Sequence, residues 1–296
     1  MKKHIGIIGG GAAGMMAAVT AARKGTKVTI LERNDRIGKK ILQTGNGKCN
    51  LGNRNLTVEC YHGGDAAWIK QALERFGTED TVCFFQKIGL LIKEKNGYLY
   101  PVSEQAASVL DVLRYELQTL GVEIIYGCKV QKVERTLSGK LVVNDGDREW
   151  QFDAVILTCG GKAAPGTGSD GSGWKIAKKA GHTCIAPVPA LVQLRCLETD
   201  LLKGIAGVRA DSRVRILCDG RETDVERGEL QLTEYGISGI PIFQLSRDVN
   251  YLLRDRKTVM AEIDFLPDMT EESYENMKET RRMLQEKRQK SFLRES

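Results

Sequence analysis

The chain of 296 residues has no long apolar run, and this excludes one class of protein. A helix that spans a bilayer needs about 20 consecutive apolar residues, and no stretch reaches that length. The apolar run near the N-terminus is interrupted by glycines and has no convincing cleavage site, so it predicts a first strand and helix rather than a signal peptide. We therefore expect a cytoplasmic protein with no membrane partner.

The sequence also lacks long stretches of charge of one sign, has few histidines and has no cluster of cysteines. The 44 Lys and Arg residues are interleaved with 38 Asp and Glu residues, so no basic stretch indicates a nucleic-acid partner. The eight cysteines form no CxxC pair and no Cys/His cluster, so we predict no metal site. None of His4, His62 and His182 belongs to a recognisable catalytic constellation. A small-molecule substrate is the expected partner, and the pattern says nothing about oligomeric state.

What the chain does contain is an alternation of apolar strands and helices, over a length that predicts two domains. Residues 4–8 form a short apolar run typical of a buried parallel strand, a helix ended by Gly25 follows, and residues 27–32 form a second strand. The apolar segment FDAVILTCGG is predicted to rejoin this sheet.

Further elements are predicted between these strands and beyond them. We expect a helix over 65–77, a hairpin that turns at Asn96-Gly97, and a helix capped by Ser103 that runs through Leu120. Strands are expected in GVEIIYGCKVQKVER and KLVVND. Beyond about Pro187 alternating runs predict a β-rich domain, and a charged helix from Glu271 to Arg294 closes the chain.

The spacing GxGxxG occurs twice, at Gly9, Gly11 and Gly14 and at Gly166, Gly168 and Gly171. With 32 glycines in the chain the spacing alone is a weak signal, and only the first copy lies between an apolar strand and a helix. There Gly9 would make the tight turn, Gly11 would let the backbone approach a pyrophosphate, and Gly14 would let the helix lie close to the sheet. The N–H groups of Ala12 and Ala13 would face the phosphates.

Glu32 ends the second strand, 23 residues after Gly9. An acid at this place accepts hydrogen bonds from a ribose diol and repels a 2′-phosphate, so FAD or NAD is predicted rather than NADP. The alternative is a glycine-rich turn followed by an exposed Glu.

The segment ERNDRIGKK resembles the E-x-x-x-x-x-G extension of the two-dinucleotide-fold flavoproteins. In that family the residues after the acid run along the pyrophosphate of FAD. The resemblance implies such contacts from Arg33, Arg36, Gly38, Lys39 and Lys40. Plain solvent exposure is the alternative for the two lysines.

The resemblance extends through GKKILQTGNGKCNLGN, FDAVILTCGGKAAPGTGSDGSGWKIAKKAGH, PVPALVQL, GELQLTEYGISGIP and IDFLP. By these motifs nearly the whole chain is similar to the aminoacetone oxidase-type family of NAD(P)/FAD-dependent oxidoreductases, which includes a reductase of 3-oxo bile-acid intermediates. The resemblance implies an α/β fold. A Rossmann-like FAD-binding domain with a central parallel sheet and a β-meander would occupy residues 1–188, and an inserted β-rich substrate domain would occupy residues 189–296.

The same resemblance implies further contacts to FAD. Val130, in a strand over CKVQKVE, would meet the adenine through its backbone. Other contacts would come from the end of the returning strand, at Cys159, Gly160 and Gly161. A loop would bend beside the isoalloxazine ring, with Thr44, Gly45, Asn46, Gly47, Lys48, Cys49 and Asn50.

No catalytic residue is identified by these patterns. Cys49 beside Lys48 is a candidate redox residue and Tyr235 a candidate donor to substrate, although a structural Cys and a core Tyr are the ordinary alternatives. Glu234 stands where family members often carry His, so the resemblance implies no proton relay there.

Flavoproteins of this type usually close the cofactor site with a late strand and a GD- or GE-like motif. No such segment is found before Ser296, because Asp170-Gly171 and Asp219-Gly220 have the wrong context. The resemblance therefore predicts a C-terminally incomplete family member.

Two functions are compatible with this sequence. The first is an FAD-dependent oxidoreductase that passes hydride from NAD(P)H through the flavin to an organic acceptor, such as an enone, or to oxygen. The second is a flavin- or nucleotide-binding module without turnover, either an inactive fragment or an RNA-associated flavoprotein.

Overall fold

The computed structural model describes residues 2–44 and 47–292, and the side chains up to Glu286. The chain divides into two compact units, Met1–Cys184 and Ile185–Ser296. This division lies close to the predicted boundary at residue 188, and the roles expected for the two domains remain predictions. Within the described part, no helix is both long and apolar enough to cross a bilayer.

The first unit is built on a four-stranded parallel sheet. Its elements, in chain order, are β1 His4–Ile8, α1 Ala12–Arg23, β2 Lys27–Leu31, α2 Lys39–Leu42, β3 Gly52–Asn53, α3 Ala66–Arg75, α4 Thr78–Lys87, β4 Ile92–Lys95, β5 Tyr98–Pro101, α5 Ala106–Thr119, β6 Glu123–Ile125, β7 Lys132–Arg135, β8 Leu141–Asn144, β9 Glu149–Phe152, β10 Ala154–Leu157 and α6 Ser172–Lys179. The parallel sheet has the order β10-β1-β2-β6. The predicted return of the FDAVILTCGG strand to the first sheet is thus confirmed.

Two small antiparallel sheets accompany the parallel one. The first, in the order β3-β5-β4, contains the predicted hairpin, whose turn residues Asn96 and Gly97 both have positive φ. The second is a meander in the order β7-β8-β9. Phe152 of β9 packs over Gly6 of β1 so closely that a side chain on Gly6 would overlap its ring.

The core of the first unit lies between the parallel sheet and helices α1, α4 and α5. Ile7 and Ile30 of the sheet are fully buried there against Met15 of α1 and Leu113 of α5. Burial on this side explains the near-continuous apolar runs of the central strands.

The second unit is a five-stranded antiparallel sheet with helices. Its elements are β11 Leu194–Arg195, α7 Thr199–Ile205, β12 Arg209–Cys218, β13 Arg221–Thr233, β14 Gly236–Gly239, α8 Ile240–Arg254, β15 Val259–Asp264 and α9 Glu271–Phe292. The sheet order is β11-β14-β13-β12-β15. Val214, Ile216, Leu230 and Leu232 on one face pack against α8, whose Leu245 is fully buried.

Several local predictions need correction. Ser103 is not the N-cap of α5: that position is Gln105, and the Ser103 hydroxyl instead accepts from the Gln105 N–H and contacts the hydroxyl of Ser108 at 2.7 Å. Val130 precedes β7 rather than lying inside a strand. Helices α4 and α8 have no counterpart in the sequence predictions.

Candidate functional site

A cleft of about 590 Å³ opens in the first unit where parallel strands end. Ile8, Leu31 and Leu157, the last residues of β1, β2 and β10, all line it. Ligands of open parallel sheets bind at this edge, because the loops that follow the strands gather there. The cleft is therefore the candidate site of the first unit.

The glycine loop between β1 and α1 forms one side of the cleft. Gly9 has φ of 104°, and its N–H donates to the carbonyl of Leu31 at 2.9 Å. A side chain on Gly14 would collide with the carbonyl oxygen of Gly9, so glycine is required where the helix meets the loop. Gly11 differs, because a Cβ there would meet nothing within 4 Å. The absence of a side chain at Gly11 leaves open space in the cleft and is not required by any packing contact.

Helix α1 begins at Ala12 beside this space, and no side chain caps its N-terminus. The first N–H groups of a helix have no intrahelical partner, and the helix dipole adds partial positive charge there. Ala12 and Ala13 both line the cleft. This end of the helix is thus suited to an anion.

Glu32 lies on the wall of the cleft and is only 5% exposed. Its Oε2 accepts from the N–H of Gly10 at 2.7 Å, and its Oε1 accepts from the N–H and the side-chain amide of Asn34 at 2.8 and 2.7 Å. The carboxylate therefore holds the glycine loop and the end of β2 together. The sequence predicted a contact of Glu32 with ribose, but it did not predict these hydrogen bonds from Gly10 and Asn34 to the carboxylate.

Gly10, also absent from the predicted site, is constrained by the same contact. A side chain at this position would overlap that of Ile37 and come within 3.1 Å of Glu32. The signal in the sequence was the middle glycine of the GGG run at residues 9–11.

The opposite wall comes from the second glycine run, which sequence reasoning set aside. Thr167, Gly168, Ser169 and Ser172 line the cleft. The segment is tied to the end of β2, because Arg33 Nη1 lies 2.6 Å from Asp170 Oδ2 and the Asn34 side-chain amide donates to the carbonyl of Thr167 at 3.2 Å. Arg33 keeps the pKa of the Asp170 carboxyl far below its usual range.

Positive charge lines the floor of the cleft, at Arg36, Lys39, Lys40 and Lys129. Lys39 pairs with Asp35 at 2.8 Å, whereas the other three have no salt bridge with any described residue. Gly38, at φ of 75°, is the N-cap of α2 and donates its N–H to the carbonyl of Gly10 at 2.9 Å. These cations are available to a bound anion.

Cys128, Cys159 and Val130 also line the cleft. Burial raises the pKa of the Cys128 thiol to about 12 and that of the Cys159 thiol to about 11. Both are therefore protonated at neutral pH and are poor nucleophiles. Gly160 also lines the cleft, but Gly161 does not.

The described residues of the predicted flavin loop do not line this cleft. Gly45 and Asn46 fall outside the described residues, and Thr44, Gly47, Lys48, Cys49 and Asn50 do not line it. Cys49 packs against the core of the first unit, and burial raises its pKa, so it lacks the thiolate character of a reactive cysteine.

Tyr235, the other catalytic candidate, lies in the second unit before β14 and is 40% exposed. The guanidinium of Arg195 lies 5.7 Å from its ring centroid. Its role as a donor stays a prediction. Among the residues that the structure describes, no group of His, Cys, Asp and Glu side chains is suited to a metal ion.

Comparison with known proteins now adds the family. Residues 3–246 match the family model described as the HI0933-like protein Rossmann domain. The chain belongs to this family. The resemblance predicted from the motifs is thereby confirmed.

Three curated relatives show how far the likeness extends. The chain is 46% identical over 268 residues to a 3-dehydro-bile acid delta(4,6)-reductase of Clostridium scindens, which covers 90% of this chain and 65% of the relative. It is 32% identical over 267 residues to a ribosomal RNA dihydrouridine synthase of Haemophilus influenzae, which covers 88% and 64%. The Escherichia coli protein of the same name is 28% identical over 273 residues, which covers 91% and 65%. The chain thus spans about two thirds of the length of these relatives.

Proposed function

We propose that this chain binds FAD in the cleft and acts as an FAD-dependent oxidoreductase that reduces a carbon–carbon double bond conjugated to a carbonyl group. The observation that carries the proposal is the convergence of the glycine loop, Glu32 and unpaired cations on one cleft, in a chain 46% identical to a named reductase. Reduced pyridine nucleotide is the proposed hydride donor, and oxygen is an alternative acceptor.

The cleft fits the ADP half of FAD. The open space beside Gly11 admits a pyrophosphate against the backbone, and the N–H groups of Ala12 and Ala13 would hold its oxygens. Lys40 and Arg36 would neutralise its charge. Glu32 has acceptor capacity left for ribose hydroxyls, since a carboxylate offers about four lone-pair sites and three donors occupy it here.

The flavin half of the proposal rests on the loop over residues 44–50. The Oγ1 atom of Thr44 is buried and has no hydrogen-bond partner in the described chain, which fits a polar ligand at this point. When bound, the isoalloxazine would supply hydride transfer, and the chain would position it and exclude water. Cys128 and Cys159 of the cleft are free thiols, which supports a reducing, cytoplasmic setting.

The relatives suggest which acceptor chemistry to test. The names of the bile acid delta-reductase and the dihydrouridine synthase describe the same kind of reaction. In both, a double bond conjugated with a carbonyl group is saturated. The higher identity to the bile acid enzyme favours a small enone over RNA.

A second candidate is reduction of uridine in RNA. Two relatives at 32% and 28% identity bear that name. The first unit also carries 26 Lys and Arg residues against 18 Asp and Glu residues, and this positive net charge favours the binding of polyanions.

The test is a flavin titration of the purified chain followed by reduction with NADH or NADPH. Reoxidation is then followed with a 3-oxo-4-ene steroid, with uridine-containing RNA, and with oxygen. Rapid reoxidation by the steroid supports the proposal, and by RNA the second candidate. Bound flavin that neither nucleotide reduces, or that neither organic acceptor reoxidises, overturns the reductase assignment.

A further inference from the structure

Three charged side chains meet at the turn that leads from β5 to α5. Glu104 accepts from Lys48 through Oε2 and lies 2.5 Å from Lys93 through Oε1. The two lysines lower the pKa of the Glu104 carboxyl to about 2, so it stays ionised throughout the neutral range. One lysine belongs to the loop over residues 44–50 and the other to β4. The carboxylate thus joins the loop to the hairpin.

The backbone of Glu104 has φ of 58°, in the left-handed region that favours glycine. A residue with a long side chain in this conformation is strained relative to glycine. Two ion pairs of its carboxylate and the hydrogen bond from its N–H to the carbonyl of Pro101 at 2.8 Å can offset this strain.

The same loop is attached to its surroundings by backbone hydrogen bonds on either side of Lys48. The N–H of Ala106, at the start of α5, donates to the carbonyl of Gly47 at 2.7 Å. The N–H of Leu51 donates to the carbonyl of Leu99 at 2.8 Å. Residues 47–51 therefore lie on the hairpin and on the α5 N-terminus, with Glu104 between these attachments.

We propose that Glu104 is a positioning residue that latches the loop over residues 47–50 onto β4 and α5, so that the loop is ordered before the flavin binds. The inference rests on the proposed function where it concerns flavin. A pre-ordered loop gives tighter binding, because less conformational entropy is lost on association. Glu104 itself touches no reacting atom in this assignment.

The latch can be tested without any flavin, by amide hydrogen exchange at Gly47 and Ala106. In Glu104→Gln the carboxylate is lost and the backbone keeps its conformation, and we expect exchange at these amides to quicken by about fivefold, the scale of an exposed ion-pair network. Exchange in β1 should not change. Glu134→Gln, which breaks the exposed Lys132 pair at 2.6 Å on the meander, is the matched control.

Glu104→Gly separates the carboxylate from the backbone. Glycine adopts φ of 58° without strain, so a purely conformational role predicts protection equal to or above that of the natural protein. The latch predicts faster exchange in this variant also. Retained protection in Glu104→Gly would therefore overturn the inference.

The flavin arm uses the dissociation constant of FAD. We expect it to rise about fivefold in Glu104→Gln and Glu104→Gly and to recover partly in Glu104→Asp, which retains a carboxylate. Loosened amides with unchanged FAD affinity would overturn the role in flavin binding and leave the proposed FAD site intact. Failure of the natural chain to bind FAD would instead overturn the proposed function, and the exchange arm would still decide the latch.

Discussion

The two units of this protein use their sheets in opposite ways. In the first, the strands of the central sheet run parallel, so the loops after β1, β2 and β10 meet at one edge and form a cleft. In the second, the strands run antiparallel, so successive connections fall at opposite ends of the sheet. Strand direction therefore concentrates polar loop residues in one unit and separates them in the other.

The solvent faces differ as well. The second unit buries alternate residues of β12, such as Val214 and Ile216, whereas Arg213 is exposed and Arg215 is half-buried. Arg227 of β13 pairs with both Asp211 and Asp268. Arg215 likewise pairs with Glu262, whereas Arg36, Lys40 and Lys129 of the cleft have no salt bridge with any residue the structure describes. Unpaired charge in a concave place is the more informative sign of a binding site.

The largest effect should come from Gly14→Ala in the first unit. The new Cβ would overlap the carbonyl of Gly9, which is backbone and cannot rotate away, so we expect the free energy of unfolding to fall by about 3 kcal/mol. Urea unfolding measures this. Gly204→Ala is the control in the second unit, since a Cβ there meets nothing within 4 Å, and should be neutral or slightly stabilising. Equal stability of both variants would contradict the close packing of α1.

Gly11→Val should instead remove binding and leave the fold intact. The residue has extended backbone at φ of −77° and open space around it, so stability should change by less than about 0.5 kcal/mol. The side chain would occupy the space proposed for the pyrophosphate, and we expect FAD affinity to fall about a hundredfold or more. Differential scanning fluorimetry and flavin titration give the two values. Normal FAD affinity would place the cofactor elsewhere.

Glu32→Ala should lower both the affinity for FAD and the free energy of unfolding. The lost carboxylate leaves the N–H groups of Gly10 and Asn34 without their acceptor, and we expect about 1 to 3 kcal/mol of loss in FAD affinity and a similar loss in stability. Glu32→Gln keeps one amide oxygen and should lose less in urea unfolding. A loss confined to affinity would show that the clamp on the glycine loop is unimportant.

The smallest effect is expected at the paired charges of the second unit. Arg227→Met breaks two exposed ion pairs, and such pairs contribute less than about 1 kcal/mol. The difference from the natural chain in urea unfolding should shrink from low to high salt, because salt screens exposed ion pairs. A drop above about 2 kcal/mol would contradict the small contribution expected of exposed ion pairs.

Sequence patterns predicted the elements of the first unit best where a few neighbouring residues are enough to determine the local structure. The apolar run of β1, the glycine that ends α1 and the Asn96-Gly97 turn all act over a few residues, and their elements appear as expected. Ser103 is not the cap because α5 begins later than expected, after Gln105, and the Ser103 hydroxyl accepts from the Gln105 N–H at 3.3 Å. Helix α8 was missed because its burial depends on the sheet it covers.

The sequence by itself determined the βαβ unit, the family, and the residues of the glycine loop, because each of these is written in a short pattern whose physical tasks are local. Only the tertiary structure decided what completes the cleft. Residues 167–172 lie more than 130 positions from Arg33 and Asn34, and they become a wall only through the Asp170 ion pair and the Thr167 carbonyl. The same holds for Glu104 and Lys48, which lie on separate segments. Contacts between distant segments depend on the folded chain as a whole, so no local sequence pattern could have predicted them.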